Sequence, residues 1–303
     1  MKTTKTKTFD PNTLSPKDLH SLLLSTVAPR PICFASTVAA DGNVNLSPFS
    51  YFNVFSSNPP VLAFSPTRSG RDNSLKHTHQ NVLDVPEVVI NMVNYDLVTQ
   101  MSLASTAYAK GINEFIKSGL TEVPSELVTP PRVGEAPVAF ECRVNQIIAL
   151  AQTPGAGNLA LCEVLRVHID EDYLVADALD PTKLDLVGRM GGDYYVRASA
   201  AALFEVAKPK KQPGIGVDAL PLGIRESNVL TGNNLGHLGS LAELPTVADL
   251  EAIAKDDEIQ MMAHKMKANP ERHKDQLHWL AQCILEEGDV HKALVILMYA
   301  ERF

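Results

Sequence analysis

The 303-residue chain is poor in most features that would announce a specialised class of protein. It has four cysteines and no Cys-x-x-Cys pair. Cys33, Cys142, Cys162 and Cys283 lie far apart, each among apolar neighbours, so their spacing supports neither a disulfide framework nor a zinc site. They read as small core residues of a protein kept in a reducing cytoplasm. Basic charge is also scarce. The net charge is −8 and the sequence pI about 5.6, which excludes the basic stripe that a general nucleic-acid binder uses against phosphates. A local pocket for one small phosphate is compatible with that balance. No apolar run approaches the roughly 18 residues of a membrane span. The opening MKTTKTKTFDPNT has no apolar region behind its basic residues, so it is not read as a secretory signal.

What is present falls into two textures. Ser15-Pro16-Lys17-Asp18 predicts a capped helix start, with Leu19, Leu22 and Leu23 on one face. From Arg30 to Thr67 short β-branched and aromatic runs alternate with turn residues, as in a barrel or sandwich. Asp41-Gly42 is a hairpin turn pair, Pro48 marks an edge or bulge, and Asn58-Pro59-Pro60 breaks the chain. Further strands are expected at 88–93, in VAFECRVNQIIAL and in NLALCEVLRVHI, with a helix over 95–106. KPKKQPG at 208–214 is a basic, Pro-containing break, and from Thr246 the pattern is helical. Helix starts are expected at Thr246, Asn269 and Asp289, with Gly288 as a stop. The division read from the sequence is 1–207, a connector at 208–245, and a helical extension at 246–303.

Chemistry-bearing residues concentrate between Asn45 and Asn81. Ser/Asn-rich strand ends (Asn45, Ser47, Ser50, Ser65) run into a loop carrying Arg68, Arg71 and Lys76, with Thr78 close by. A phosphate monoester needs this mixture of cations, hydroxyl donors and backbone amides. Gly214-Ile-Gly216-Val-Asp-Ala219 formally matches a dinucleotide fingerprint, but it follows KPKKQP and not an apolar strand. His77 and His79, two apart and without a third ligand nearby, read as polar loop histidines and not a metal site. His264, His273, His278 and His291 read as solvated helix-face residues, and Trp279 as tail packing. No catalytic triad is evident.

Several of these motifs occur in an order that resembles the flavin-reductase-like proteins, which include flavoredoxins and the reductase components of two-component flavin monooxygenases. The resemblance rests on Pro29-Arg30-Pro31, the Asp41-Gly42 hairpin, NLSPFSYFNVFSSNPPVLAFSP, Lys76-His77-Thr78-His79-Gln80-Asn81, and Gly188-Arg189-Met190-Gly191-Gly192-Asp193-Tyr194-Tyr195, and it covers about 25–200. His77 stands where that family usually has Asp. The resemblance implies a mainly β chain with helices: an FMN-binding split β-barrel, usually a homodimer with FMN near the interface, here with a C-terminal helical extension. It implies Asn45, Leu46, Ser47, Ser50, Tyr51 and Phe52 along the ribityl chain and ring edge. Ser65, Arg71, Lys76 and Thr78 would hold the phosphate, with Arg189 and Tyr194 near the flavin or the interface. The expected activity is hydride transfer from NAD(P)H to FMN and on to an acceptor, which no acid–base side chain need assist. A flavoredoxin-type carrier serving a protein acceptor, and a non-catalytic flavin-binding or interaction module, are the competing readings.

Overall fold

Turn residues and β-branched runs cut the first two-thirds of the chain into strands that pair almost entirely antiparallel. The computed structural model describes residues 5–206, 212–268 and 270–302, and the chain divides into two units, Met1–Phe204 and Glu205–Phe303. In the first unit α1 (Pro16–Thr26) begins where Ser15 caps it, its side chain accepting from the Asp18 amide. Then follow β1 (Arg30–Pro31), β2 (Cys33–Val38), β3 (Val44–Phe49), β4 (Phe52–Ser57), β5 (Pro60–Phe64), α2 (His77–Asp84), β6 (Glu87–Met92), α3 (Val98–Ala104) and α4 (Glu114–Ser118). A small hairpin, β7 (Glu122–Val123) and β8 (Arg132–Val133), precedes the two longest strands, β9 (Val138–Ala149) and β10 (Asn158–Ile169). The unit closes with β11 (Leu174–Val175), β12 (Ala178–Leu179), α5 (Pro181–Leu184), β13 (Val187–Arg189) and β14 (Tyr195–Arg197).

The main sheet has the order β3-β2-β6-β9-β10-β5-β4, so β3 and β4, neighbours in sequence, are its two edges. Pro48 lies on edge strand β3, where its missing N–H breaks no ladder between two partners. Strand β2 is buried along its whole length. Phe34, Phe64 and Ile90 are fully buried, as are Cys33, Cys142 and Cys162. Burial pushes the Cys142 thiol far above its ordinary range, and that of Cys162 up to about 12, so both stay protonated and inert. A separate sheet, β1-β13-β14, brings the chain's Pro-Arg-Pro entry against the glycine-rich segment near 190.

The second unit is helical: α6 (Leu222–Arg225), α7 (Gly232–Gly239), α8 (Val247–Ile253), α9 (Asp257–Ala268), α10 (Pro270–Glu286) and α11 (Val290–Ala300). The stretch 208–245 reads in the sequence as a connector; its described residues, 212–245, carry α6 and α7, whose Ile224 and Leu238 are wholly buried with Leu277, Leu294 and Ile296. One buried side chain per short helix leaves little periodicity to read. Thr246 caps α8 in a reciprocal capping box with Asp249, and Asp289 caps α11. The expected start at Asn269 lies outside the described residues. Val217–Ala219 is a single 3-10 turn, and the described residues 212–216 that lead into it form no strand, so the dinucleotide fingerprint lacks the strand–turn–helix context it needs. Three expectations fail here. Cys283 and Trp279 are exposed, because both lie on the outer side of α10. His278 is buried, one residue along, with Nδ1 at 2.7 Å from Ser227 Oγ.

One buried charge fastens the Pro-containing loop between β7 and β8, residues 124–131, to the first unit's sheet. Glu141 on β9 is fully buried, and its carboxylate accepts from the amides of Glu126 and Leu127 at 2.8 and 2.6 Å, with His168 Nε2 also at 2.6 Å. Burial pushes the carboxyl up, but these hydrogen bonds outweigh it and hold it below the ordinary range. The sign follows: the carboxylate stabilises the fold above the unfolded-state range near about 4.3, and that contribution is lost as pH falls through the lowered folded value. Glu141→Gln should therefore cost about 1.5–3 kcal/mol at neutral pH, with the gap narrowing in urea melts near about pH 3. An equal loss at both pH values would contradict this.

Candidate functional site

The edge position of β3 shapes a groove at its end. The strand reaches Phe49, turns at Ser50 and Tyr51, and leaves as β4. Against that turn lies the segment after β5, where Ser65 donates its amide to the Tyr51 carbonyl. Ser47, Ser50, Tyr51, Ser65, Thr67 and Lys76 line one cleft of about 200 Å³. A second cleft, about 210 Å³, shares Pro48, Phe49, Ser50 and Ser105 with the first and reaches Ile32, Met101, Arg189 and Tyr195. The first mixes hydroxyls with a lysine; the second has an apolar wall and one arginine.

The other expected site residues stand behind or beside these clefts. Asn45 is buried and its Nδ2 donates to Thr78 Oγ1 at 3.0 Å, fixing the start of α2 against β3. Asn81 repeats the device one turn on, donating to Thr37 Oγ1 at 3.1 Å. Leu46 is fully buried in the core, and its backbone amide, on the open edge of β3, donates to Glu114 Oε2 at 2.9 Å. Burial pushes the Glu114 carboxyl up, while that amide bond opposes the shift. Phe52 packs against the core from β4. Arg71 is exposed, and Tyr194 is 78% exposed; Tyr195, not Tyr194, lines the second cleft.

The segment from Ser65 to His79 carries an unusual set of unmet hydrogen-bonding needs. Ser65 Oγ, Arg68 Nε, Asn73 Oδ1 and His79 Nδ1 are all buried, and none has a hydrogen-bond partner. Most buried polar atoms in folded proteins are paired, so such a cluster requires an explanation. The β9–β10 turn holds the segment in place: the Arg68 amide donates to the Ala156 carbonyl at 2.8 Å, and Asn73 Nδ2 to the Gln152 carbonyl at 2.9 Å. A Cβ at Gly157 would stand 2.8 Å from Ser65 Oγ, so the close approach depends on glycine there. His79 is therefore not the polar loop histidine expected. It lies on α2, buried, and burial together with the nearby Arg68 charge pushes its imidazole pKa down. The periodicity of so short a helix did not reveal which histidine points inward.

Sequence reading also gave Arg30 no task beyond its motif. It is buried, and its guanidinium is almost wholly engaged. Nη1 donates to the Leu24 and Val27 carbonyls, both at 2.6 Å; Nη2 donates to the Met190 carbonyl at 3.0 Å; and Nε lies 3.4 Å from Ser50 Oγ. Arg30 thus ties the end of α1 and the glycine-rich segment to the groove, which is why Leu24 lines the first cleft.

Residues 25–180 match the family model described as "Flavin reductase like domain". The chain belongs to the flavin reductase like family. An uncharacterised protein of Aquifex aeolicus (strain VF5) is 38% identical over 182 residues, covering 59% of this chain and 90% of that relative. Among solved structures, nitrilotriacetate monooxygenase component B from Bacillus cereus aligns with a TM-score of 0.62 at 26% identity, over 68% of this chain and 99% of its own. Flavoredoxin of Desulfovibrio vulgaris (Miyazaki F) aligns at 0.50 and 22% identity, over 67% and 96% of the two chains, a likeness of fold alone. These matches establish the mainly β split barrel, here followed by a helical C-terminal unit, in a family of flavin-binding oxidoreductases. No described helix is long and apolar enough to cross a membrane.

Replacing Arg30 by Met, which keeps its volume and removes its donors, should leave three carbonyls of this flavin reductase like domain unpaired. Backbone amides of α1 should then exchange at least about tenfold faster with solvent, the equivalent of roughly 1.4 kcal/mol. Unchanged protection in α1 would show that the arginine does not hold the helix.

Proposed function

We propose that the first unit is an FMN-binding flavin oxidoreductase that accepts hydride from NAD(P)H and passes electrons to an acceptor. The observation that carries this reading is the cluster of unpartnered buried atoms at Ser65, Arg68 and His79 beside a cleft lined by Lys76, Thr67 and Ser65. Three donors or potential donors without acceptors, and a lysine at the rim, fit the terminal phosphate of FMN. Asn73 Oδ1, an acceptor, fits a bridging water or a phosphate hydroxyl.

The residues divide into roles under this reading. Lys76 and Ser65, with Thr67 and Arg68, hold the phosphate, and Arg71 adds long-range positive charge from the surface. Ser47, Ser50 and Tyr51 meet the ribityl chain and ring edge. Asn45 and Thr78 brace α2 against β3, Leu46 and Phe52 anchor the strand ends in the core, and Glu114 occupies the Leu46 edge amide. Phe49, Ile32 and Met101 supply an apolar wall that keeps water from the reacting face. When bound, FMN supplies the two-electron chemistry that no side chain here offers. Exposed Val54 and Phe55 on edge strand β4 support a homodimer built on that edge. Inert, buried thiols at Cys33, Cys142 and Cys162 accord with a reducing cytoplasm.

Lys76→Ala tests the phosphate assignment. One charge-assisted hydrogen bond is worth about 1.5–3 kcal/mol, so FMN affinity, read by flavin fluorescence titration, should fall about 10- to 100-fold. Affinity for riboflavin, which lacks the phosphate, should stay the same. Equal loss for both flavins, or none for either, would remove Lys76 from the phosphate site.

A further inference from the structure

The second cleft contains a charge arrangement that the flavin assignment leaves unused. Arg30 and Arg189 are directly opposite each other in the β1–β13 register. Like charges in that position repel and normally destabilise a sheet. Arg30 has no carboxylate partner among the described residues and is held by carbonyl dipoles and the Ser50 hydroxyl; burial, with Arg189 close by, pushes its pKa down. Arg189 makes a single hydrogen bond among the described residues, from Nη2 to the Gly192 carbonyl at 2.7 Å. Its nearest carboxylate is that of Asp193, 3.8 Å away and fully exposed to solvent. The guanidinium lies over the Tyr195 ring, 4.5 Å from its centroid, which fixes its plane at the mouth of the cleft.

The support beneath Arg189 is close-packed. A Cβ at Gly188 would stand 2.9 Å from Pro29 Cβ, and one at Gly191 would stand 2.9 Å from the backbone of Ser25. The strand is thus seated directly on the end of α1, and the arginine is presented from a rigid base. A cation without a buried counter-charge among the described residues, above an apolar wall of Ile32, Phe49 and Met101, suits a ligand with a flat ring and a phosphate-bearing tail.

Resting on the flavin reading above, we infer that Arg189, set on Tyr195, is the specificity-determining residue for the hydride donor, holding the diphosphate of a nicotinamide dinucleotide whose ring enters the second cleft. Arg189, which the family resemblance placed near the flavin or the interface, thereby passes to the donor. Tyr195 orients the guanidinium so that its free donors meet the diphosphate oxygens. Attraction to a dianionic tail strengthens as ionic strength falls, so donor capture is salt-dependent.

The experiment compares the FMN-loaded wild type with Arg189→Ala and Arg189→Lys. FMN affinity is measured first and should change less than about twofold, since the phosphate end of the flavin lies in the other cleft. With NADH or NADPH, kcat/KM should fall about 10- to 100-fold in Arg189→Ala, with Arg189→Lys intermediate. With an uncharged N-benzyl dihydronicotinamide, which lacks the diphosphate, both variants should match the wild type. Calorimetric affinity for ADP-ribose, which carries the diphosphate without the nicotinamide, should weaken in parallel and lose part of its salt dependence. Equal losses with the charged and uncharged donors, or no loss with either, would overturn the assignment. So would a matching drop in FMN affinity, which would return Arg189 to the flavin. A wild-type chain that binds no FMN would instead overturn the underlying reading, and this inference with it.

Discussion

A buried polar atom without a partner costs roughly 1–3 kcal/mol, and the segment from Ser65 to His79, which runs from the end of β5 into α2, gathers four of them. The rest of the first unit is arranged so that this cost can be sustained. Asn45–Thr78 and Asn81–Thr37 pin α2 to the sheet, and the β9–β10 turn clamps the segment from the other side. Neither clamp reaches Ser65 Oγ, Arg68 Nε or His79 Nδ1, which stay without a partner. A rigid frame around unmet donors is how a binding site is pre-organised: the frame holds the donors apart from one another before the anion arrives.

Edge strands explain the groove itself. In the order β3-β2-β6-β9-β10-β5-β4 the connection from β3 to β4 joins the two margins of one sheet. The chain must therefore turn across an open mouth at Ser50 and Tyr51. Glu114 takes the exposed Leu46 amide, and Arg30 takes the free carbonyls at the end of α1. Two charged side chains thus finish backbone bonding left open, Glu114 at the sheet edge and Arg30 at the helix end. Both are buried, and each does its work through hydrogen bonds to the main chain.

Much of this was legible in the residues. Ser15, Asp41-Gly42, Pro48, Thr246 and Asp289 each marked a local boundary, because capping and turn chemistry act over a few residues. The cleft-lining residues Ser47, Ser50, Tyr51, Ser65 and Lys76 lie close enough in sequence for their order to indicate a shared site. What escaped was decided by tertiary packing. Arg71 and Arg68 are equally good candidates as letters, yet only Arg68 is turned inward. Tyr194 ends the glycine-rich turn and stays exposed, whereas Tyr195 begins β14 and lines the second cleft. His278 and Trp279 exchange their expected places on α10 because adjacent helical residues face about 100° apart. The short helices at 222–239 bury Ile224 and Leu238 within a stretch whose composition looked like linker.

The central claim is that the barrel holds FMN, and the absorption spectrum of the purified chain tests it most directly. The account predicts flavin bands in the visible range, either as isolated or after FMN is added and excess removed. On heating, the released flavin should be FMN and not FAD. A colourless protein that takes up no FMN, with its fold intact by circular dichroism, would contradict it.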